Sequence, residues 1–202
     1  MVIGLCGGSG SGKGAVSFEL TKYNALHIDT DNLYHNMTSA PSECLRELVL
    51  NFGEGILSDG GSLNRRALSD IVFSGNDSRE KLKALNQITH KHILNKVREI
   101  ISDENNKEYS FFIVDAPLLF ESGFDKECDL IIAVVCDKET RIQRIIERDK
   151  ISYERAKGRI DSQIDDEELK NKADIVIENT GSIDSLREKI KLLVNNYLIK
   201  EK

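Results

Sequence analysis

Paired cysteines, linker tracts, long apolar runs and an excess of positive charge are all absent from this 202-residue chain. The four cysteines, Cys6, Cys44, Cys128 and Cys136, stand far apart with no C-x-x-C pair. That spacing argues against a disulfide frame or a zinc site and reads as reduced, mostly buried thiols. Proline occurs only at Pro41 and Pro117. With no low-complexity tract and no internal repeat, nothing marks a flexible interdomain linker or a solenoid. No apolar run approaches the roughly 20 residues of a membrane span. The apolar start Met1–Cys6 is too short for a secretory signal and lacks a basic leader, so a cytoplasmic location is expected. Lastly, 28 Lys and Arg face 34 Asp and Glu, a formal charge of −6. A negative field argues against nucleic acid and anionic membrane as general partners.

What is present is the balance of an ordinary globular protein, 40% apolar and 31% charged, with length enough for a packed core. Short apolar runs at Val2–Cys6, Ala25–Ile28, Phe111–Val114, Leu130–Val135 and Ile175–Ile177 do not alternate, as expected of parallel strands buried on both faces. Helical patterns at Lys13–Tyr23, Lys138–Asp149 and Ser182–Leu198 lie between or after them. In the last, Ile183, Leu186, Ile190, Leu193, Val194 and Ile199 form one apolar stripe. Strands alternating with helices predict an α/β fold, a five-stranded parallel sheet with helices on both faces. The gap between the second and third strands is too long for one crossover helix. It carries its own helical patterns at Ser42–Phe52, Asn64–Phe73 and Ser78–Ile101, and reads as a helical insertion. A second insertion is expected over Lys150–Asn171.

Gly7-Gly-Ser-Gly-Ser-Gly-Lys13 follows the first strand and opens the first helix, matching G-x-x-x-x-G-K in the required context. Glycines let the backbone approach closely, so N–H groups from Gly8, Ser9, Gly10, Ser11, Gly12, Lys13 and Gly14 can turn onto phosphate oxygens. The helix N-terminus, continuing at Ala15, adds its positive end, and Lys13 neutralises the β- and γ-phosphates. Gly14 stands where a Ser or Thr hydroxyl would ligate Mg²⁺. The ion is therefore expected on ATP oxygens, waters and nearby carboxylates. Asp29-Thr-Asp31 leaves the second strand at the end where open parallel sheets bind ligands. Phosphoryl transfer needs a carboxylate to take the attacking hydroxyl's proton and acids to organise the metal. Two Asp residues can divide that work, or one can simply cap the helix that follows. The third strand closes with Asp115 after four apolar residues, a Walker-B shape that places it near the metal; a plain strand-end turn is the alternative.

From Arg141 to Arg159 seven Lys or Arg stand against three acids, a local balance of +4. Arg141, Arg144 and Arg148 share a helical face, suited to clamping phosphate as a lid, although most such runs are solvated faces. The acidic run Asp161–Glu168 is expected outside the site. His90 and His92 point to different helix faces and are not a metal pair. Asn171-Lys-Ala-Asp174 imitates a guanine signature but precedes a strand instead of following one, and is discounted.

Taken in order, Gly4–Lys13, Ile28-Asp-Thr-Asp31 with His35, Leu63-Asn-Arg-Arg66, Ile88-Thr-His90, Asp115-Ala-Pro-Leu-Leu-Phe-Glu121, Arg159-Ile-Asp-Ser-Gln163 and Ala173–Asn179 resemble the dephospho-coenzyme A kinase family over nearly the whole chain. The resemblance implies a P-loop nucleoside-kinase-like core (1–31, 109–140 and 173–202), a coenzyme A-binding helical insertion (32–108) and a helical lid (141–172). It implies transfer of the γ-phosphoryl of ATP to the ribose 3′-hydroxyl of dephospho-coenzyme A, with Mg²⁺. Asp31 then corresponds to the base, with Asp29 beside it and Asp29 and Asp115 toward the metal. Arg144 or Arg148 corresponds to the lid arginine, and Asn179 lies on the nucleotide side. Arg65, His90, Leu118 and Glu121 fall on the acceptor side. The competing reading is a related P-loop kinase acting on a nucleoside or metabolite hydroxyl. A nucleotide-dependent switch would need guanine or partner signatures that the chain lacks. Oligomeric state is not legible.

Overall fold

A computed structural model describes residues 1–198; Ile199, the end of the predicted apolar stripe, lies outside the described residues. Five strands form one sheet in the order β2-β3-β1-β4-β5: β1 (Val2–Cys6), β2 (Ala25–Asp29), β3 (Phe111–Asp115), β4 (Leu130–Val135) and β5 (Ile175–Glu178). β1 runs parallel to β3 and β4, and β4 to β5. The central strand is buried on both faces, which is why its sequence does not alternate. One face carries Ile3 and Leu5 into a core with Val16 and Leu20 of α1 (Lys13–Thr21) and Leu186, Ile190 and Leu193 of α9 (Ile183–Leu193). On the other face Gly4 is hemmed in: a Cβ there would lie 2.8 Å from Cys128 Sγ and 2.9 Å from Leu119 Cδ2. The predicted last helix is α-helical only to Leu193 and continues as a wider π-type turn over Val194–Leu198.

The chain divides into two compact units, one of residues 1–28 with 105 onward and one of residues 29–104. The second is helical: α2 (Thr30–Ser39), α3 (Glu43–Phe52), α4 (Arg65–Val72) and α5 (Ser78–Ser102), with α5 packed on the other three. Cys44, Leu45, Leu48, Ile56, Leu68, Val72 and Ile88 make its core, and each fully buried aliphatic side chain contributes about 1.5–3 kcal/mol. Three of these helices, α2, α3 and α4, start at side-chain caps: Asp29 Oδ1 accepts from Asn32 N, Ser42 Oγ from Leu45 N, and Asn64 Oδ1 from Ala67 N.

In the first unit, α6 (Lys138–Asp149) and α7 (Tyr153–Asp161) join through Ile142, Ile145, Ala156 and Ile160, and α8 (Asp166–Lys172) follows. The stretch expected as a second insertion, Lys150–Asn171, thus holds two helices, α7 and α8. Lys150 ends α6 in the left-handed region at φ 54°, which turns the chain back so that α7 packs on α6.

Candidate active site

The phosphate loop leaves β1 at Cys6 and turns into α1 at Lys13. Gly10 and Gly12 hold φ of +78° and +96°, values that L side chains adopt only under strain. The glycines answer to packing as well as to conformation. A Cβ on Gly8 would collide with Arg141 Nη2, one on Gly10 would lie 2.6 Å from Arg141 O, and one on Gly12 would collide with Asn179 Nδ2. Lys13 Nζ donates to Gly7 O at 3.0 Å, so its ammonium folds back along the loop. Gly14 has open space around it and Ala15 continues the helix. Ser17 Oγ bonds Lys13 O at 3.1 Å, an ordinary helix residue.

The loop's carbonyls are held from behind by α6. Arg141, 4% exposed, donates from Nε to Ser9 O at 3.0 Å, from Nη1 to Asp166 Oδ1 at 3.0 Å and from Nη2 to Gln163 Oε1 at 3.0 Å. Arg144 Nη1 reaches Gly10 O at 3.1 Å and Ser11 O at 3.2 Å, and its Nη2 reaches Asn179 O at 3.1 Å. Buried Asn179 donates its own Nδ2 to Ser11 O at 2.9 Å. Ser9 N–H is taken by Gln163 Oε1 and Ser11 N–H by Gly8 O; tying the carbonyls to guanidinium and amide donors on one side leaves the loop's remaining N–H groups to the other, the arrangement of an anion nest. Arg148 differs: it is exposed and grips Asp149 with two hydrogen bonds. That grip, with Arg159 assisting, lowers the Asp149 carboxyl to about 2.

Asp115 closes β3 opposite Leu5 of β1, with His27 Nε2 3.9 Å from its Oδ2. Burial pushes the Cys6 thiol up to about 11; Lys13 pulls it back, while Asp115 and Glu121 push it further. Those opposing charges therefore converge on the end of β1. Glu121 is exposed, Leu118 is 46% exposed, and a cavity of about 450 Å³ opens between Phe120, Glu121, Gln163, Glu168 and Lys172.

In the helical unit Asp29 serves as the cap of α2, and Asp31 lies exposed in its first turn. Arg65 opens α4, donates from Nη2 to His35 Nδ1 at 2.9 Å and lies over the Tyr34 ring. His90 is half-buried on α5, and His92 bonds Glu47. Among the described residues no group of three His, Cys, Asp or Glu is gathered to hold a metal.

Sequence reasoning missed three members of the loop's support: Arg141 as a buried anchor, Gln163 and Asp166. Asp166 belongs to the acidic run expected outside the site, and through Arg141 that run reaches the loop. Asp174 accepts from Ile131 N at 2.8 Å, a structural task consistent with discounting the guanine-like match.

A family model described as Dephospho-CoA kinase matches residues 1–185. A Dephospho-CoA kinase of Fusobacterium nucleatum is 40% identical over 191 residues, covering 95% of each chain. A Thermus thermophilus protein of known crystal structure superposes with a TM-score of 0.79 at 31% identity, covering 98% of this chain and 97% of that one. The Dephospho-CoA kinase from Campylobacter jejuni superposes with a TM-score of 0.69 at 29% identity, over 98% and 96% of the two chains.

Proposed function

The chain belongs to the dephospho-CoA kinase family, and from that premise we propose how its residues divide the work. The reaction is the ATP-dependent phosphorylation of the ribose 3′-hydroxyl of dephospho-coenzyme A to coenzyme A and ADP, the last step of coenzyme A synthesis. The observation that carries the division of labour is the backing of the phosphate loop, with the carbonyls of Ser9, Gly10 and Ser11 tied down behind it. The loop from Gly8 to Gly14 cradles the β- and γ-phosphates through the backbone N–H groups that Gln163 and Gly8 do not already hold at Ser9 and Ser11, and Lys13 swings from Gly7 O onto them. Asp31 takes the proton of the 3′-hydroxyl as that oxygen attacks the γ-phosphorus, and Asp29 fixes the turn that presents it. Arg144 holds the cradle's shape, while Arg148 leaves Asp149 to meet the charge that builds on the transferring group. Arg65, His90, Leu118 and Glu121 face the acceptor, whose coenzyme A moiety the helical unit (32–108) binds. The lid (141–172) excludes water.

Mg²⁺ belongs to the same proposal. Asp115 offers a hard carboxylate oxygen at the end of β3, and no three-acid cage is present among the described residues. A single carboxylate such as Asp115 suits a cation that would arrive on ATP and keep most of its waters; bound, it would neutralise phosphate charge. A cytoplasmic location is also proposed, supported by four free cysteines in a reduced pattern. The partners are small molecules. A coupled ADP-release assay offering dephospho-coenzyme A beside several nucleosides tests the function: turnover with dephospho-coenzyme A alone is expected, and turnover with only a nucleoside would overturn it.

A further inference from the structure

We infer that Gln163 is a positioning residue for the phosphate loop, holding its apex at Ser9 in the form that receives ATP. The inference rests on the reading of Gly8 to Gly14 as the phosphate cradle. Gln163 sits in the corner between α7 and α8, where its N–H bonds Ile160 O at 3.1 Å. Its Oε1 accepts from Ser9 N at 2.9 Å and from Arg141 Nη2 at 3.0 Å, and its Nε2 donates to Ser9 Oγ at 3.1 Å. The amide orientation is fixed by this pattern, because a flip would set its NH₂ against two donors. Arg141 completes the grip through Ser9 O, and Asp166 holds the guanidinium in turn.

Ser9 is thus held by its N–H, its carbonyl and its hydroxyl, all through two side chains from outside the loop. The loop needs that help. Between Gly7 and Gly12 only Ser9 and Ser11 carry side chains at all, and a glycine-rich backbone gives up more freedom than any other when it is ordered. A cradle fixed before ATP arrives avoids that ordering cost at binding. Gln163 is a buttress and not a displaceable plug, since pulling it off Ser9 would also strip a partner from an almost fully buried arginine.

The two roles predict opposite signs, and kinetics on the full chain separates them. Gln163→Met keeps an unbranched side chain of similar length without the amide. The expected result is a KM for ATP raised about tenfold, as for losing a few hydrogen bonds of modest net strength, with KM for dephospho-coenzyme A unchanged within about twofold. Gln163→Glu keeps an acceptor for Ser9 N–H and Arg141, loses the donor to Ser9 Oγ, and falls between native and Gln163→Met. A merely structural role would lower the thermal midpoint and leave the ATP and acceptor constants moving together, which overturns the inference. So does an ATP KM that stays within about twofold of native or falls. Should Gln163→Met not fold, Gln163→Glu decides by the same criteria. Native enzyme without turnover would sink the kinase reading, and the affinity of each form for a non-hydrolysable ATP analogue, by calorimetry, still decides the role of Gln163.

Discussion

Asp31 lies in the first turn of α2, where any carboxylate gains about 0.3–1 kcal/mol from the helix's positive end. Removing that charge therefore costs stability little, whereas removing a general base costs about a hundredfold to ten-thousandfold in rate. Asp31→Asn is expected to fold and bind ATP normally while losing turnover on that scale; unchanged kcat would remove Asp31 as the base. Arg148 is exposed and tied only to its neighbour in the chain. For Arg148→Ala we expect kcat to fall more than ATP affinity, by tenfold or more, because charge acting on the transition state does not aid ground-state binding. A larger loss of affinity would make Arg148 a ground-state contact. At this scale the sequence was legible where the signal is local. Gly7 to Lys13 and the Asp closing β3 are short spacings on one strand end. The support of Ser9 was not: Arg141 and Gln163 stand 132 and 154 residues away, and nothing near either residue marks its target.

Among elements, the α6–α7 hairpin is the one most open to test. Its small core of Ile142, Ile145, Ala156 and Ile160 is supplemented by a charge staple in which Arg148 and Arg159 both hold Asp149. Asp149's carboxyl is held at about 2 in the folded chain, below its ordinary value, so the staple's stabilisation is present above about pH 4 and is lost as pH falls toward 2. Thermal midpoints of native protein and Asp149→Asn are expected to differ near neutrality and converge as the medium is acidified through that window. A gap that persists at the acid end would contradict the staple. Ile145→Ala, at a fully buried position, is expected to cost about 2–5 kcal/mol in denaturant unfolding. The strands were readable because a strand buried on both faces leaves an uninterrupted apolar run. The break between α7 and α8 was hidden, because Asp161–Glu168 reads as one acidic stretch and its turn depends on Ser162 and Gln163 closing back on Gly158 and Ile160.

Over the whole molecule, the net charge of −6 conceals how the basic stretch is used. Asp149 holds Arg148 and Arg159, Asp161 holds Lys138 and Lys157, and Asp166 holds Arg141. The local excess therefore organises the segment from α6 to α8 and the back of the phosphate loop, and only part of it is left to meet a ligand. Counting charges could not reveal this, since the pairing depends on how α7 and α8 fold against α6. The cysteine pattern was more transparent: burial pushes Cys6 and Cys44 up to about 11 and Cys128 to about 12. Native protein should therefore react with a thiol reagent at neutral pH far more slowly than unfolded protein, and equal rates would contradict that burial. The central claim concerns where the phosphoryl group goes. Incubating the purified chain with dephospho-coenzyme A and γ-labelled ATP, then locating the label by mass spectrometry, tests it directly. Label in the ribose 3′-phosphate of coenzyme A is the expected result; label released as inorganic phosphate, with dephospho-coenzyme A recovered unchanged, would contradict it.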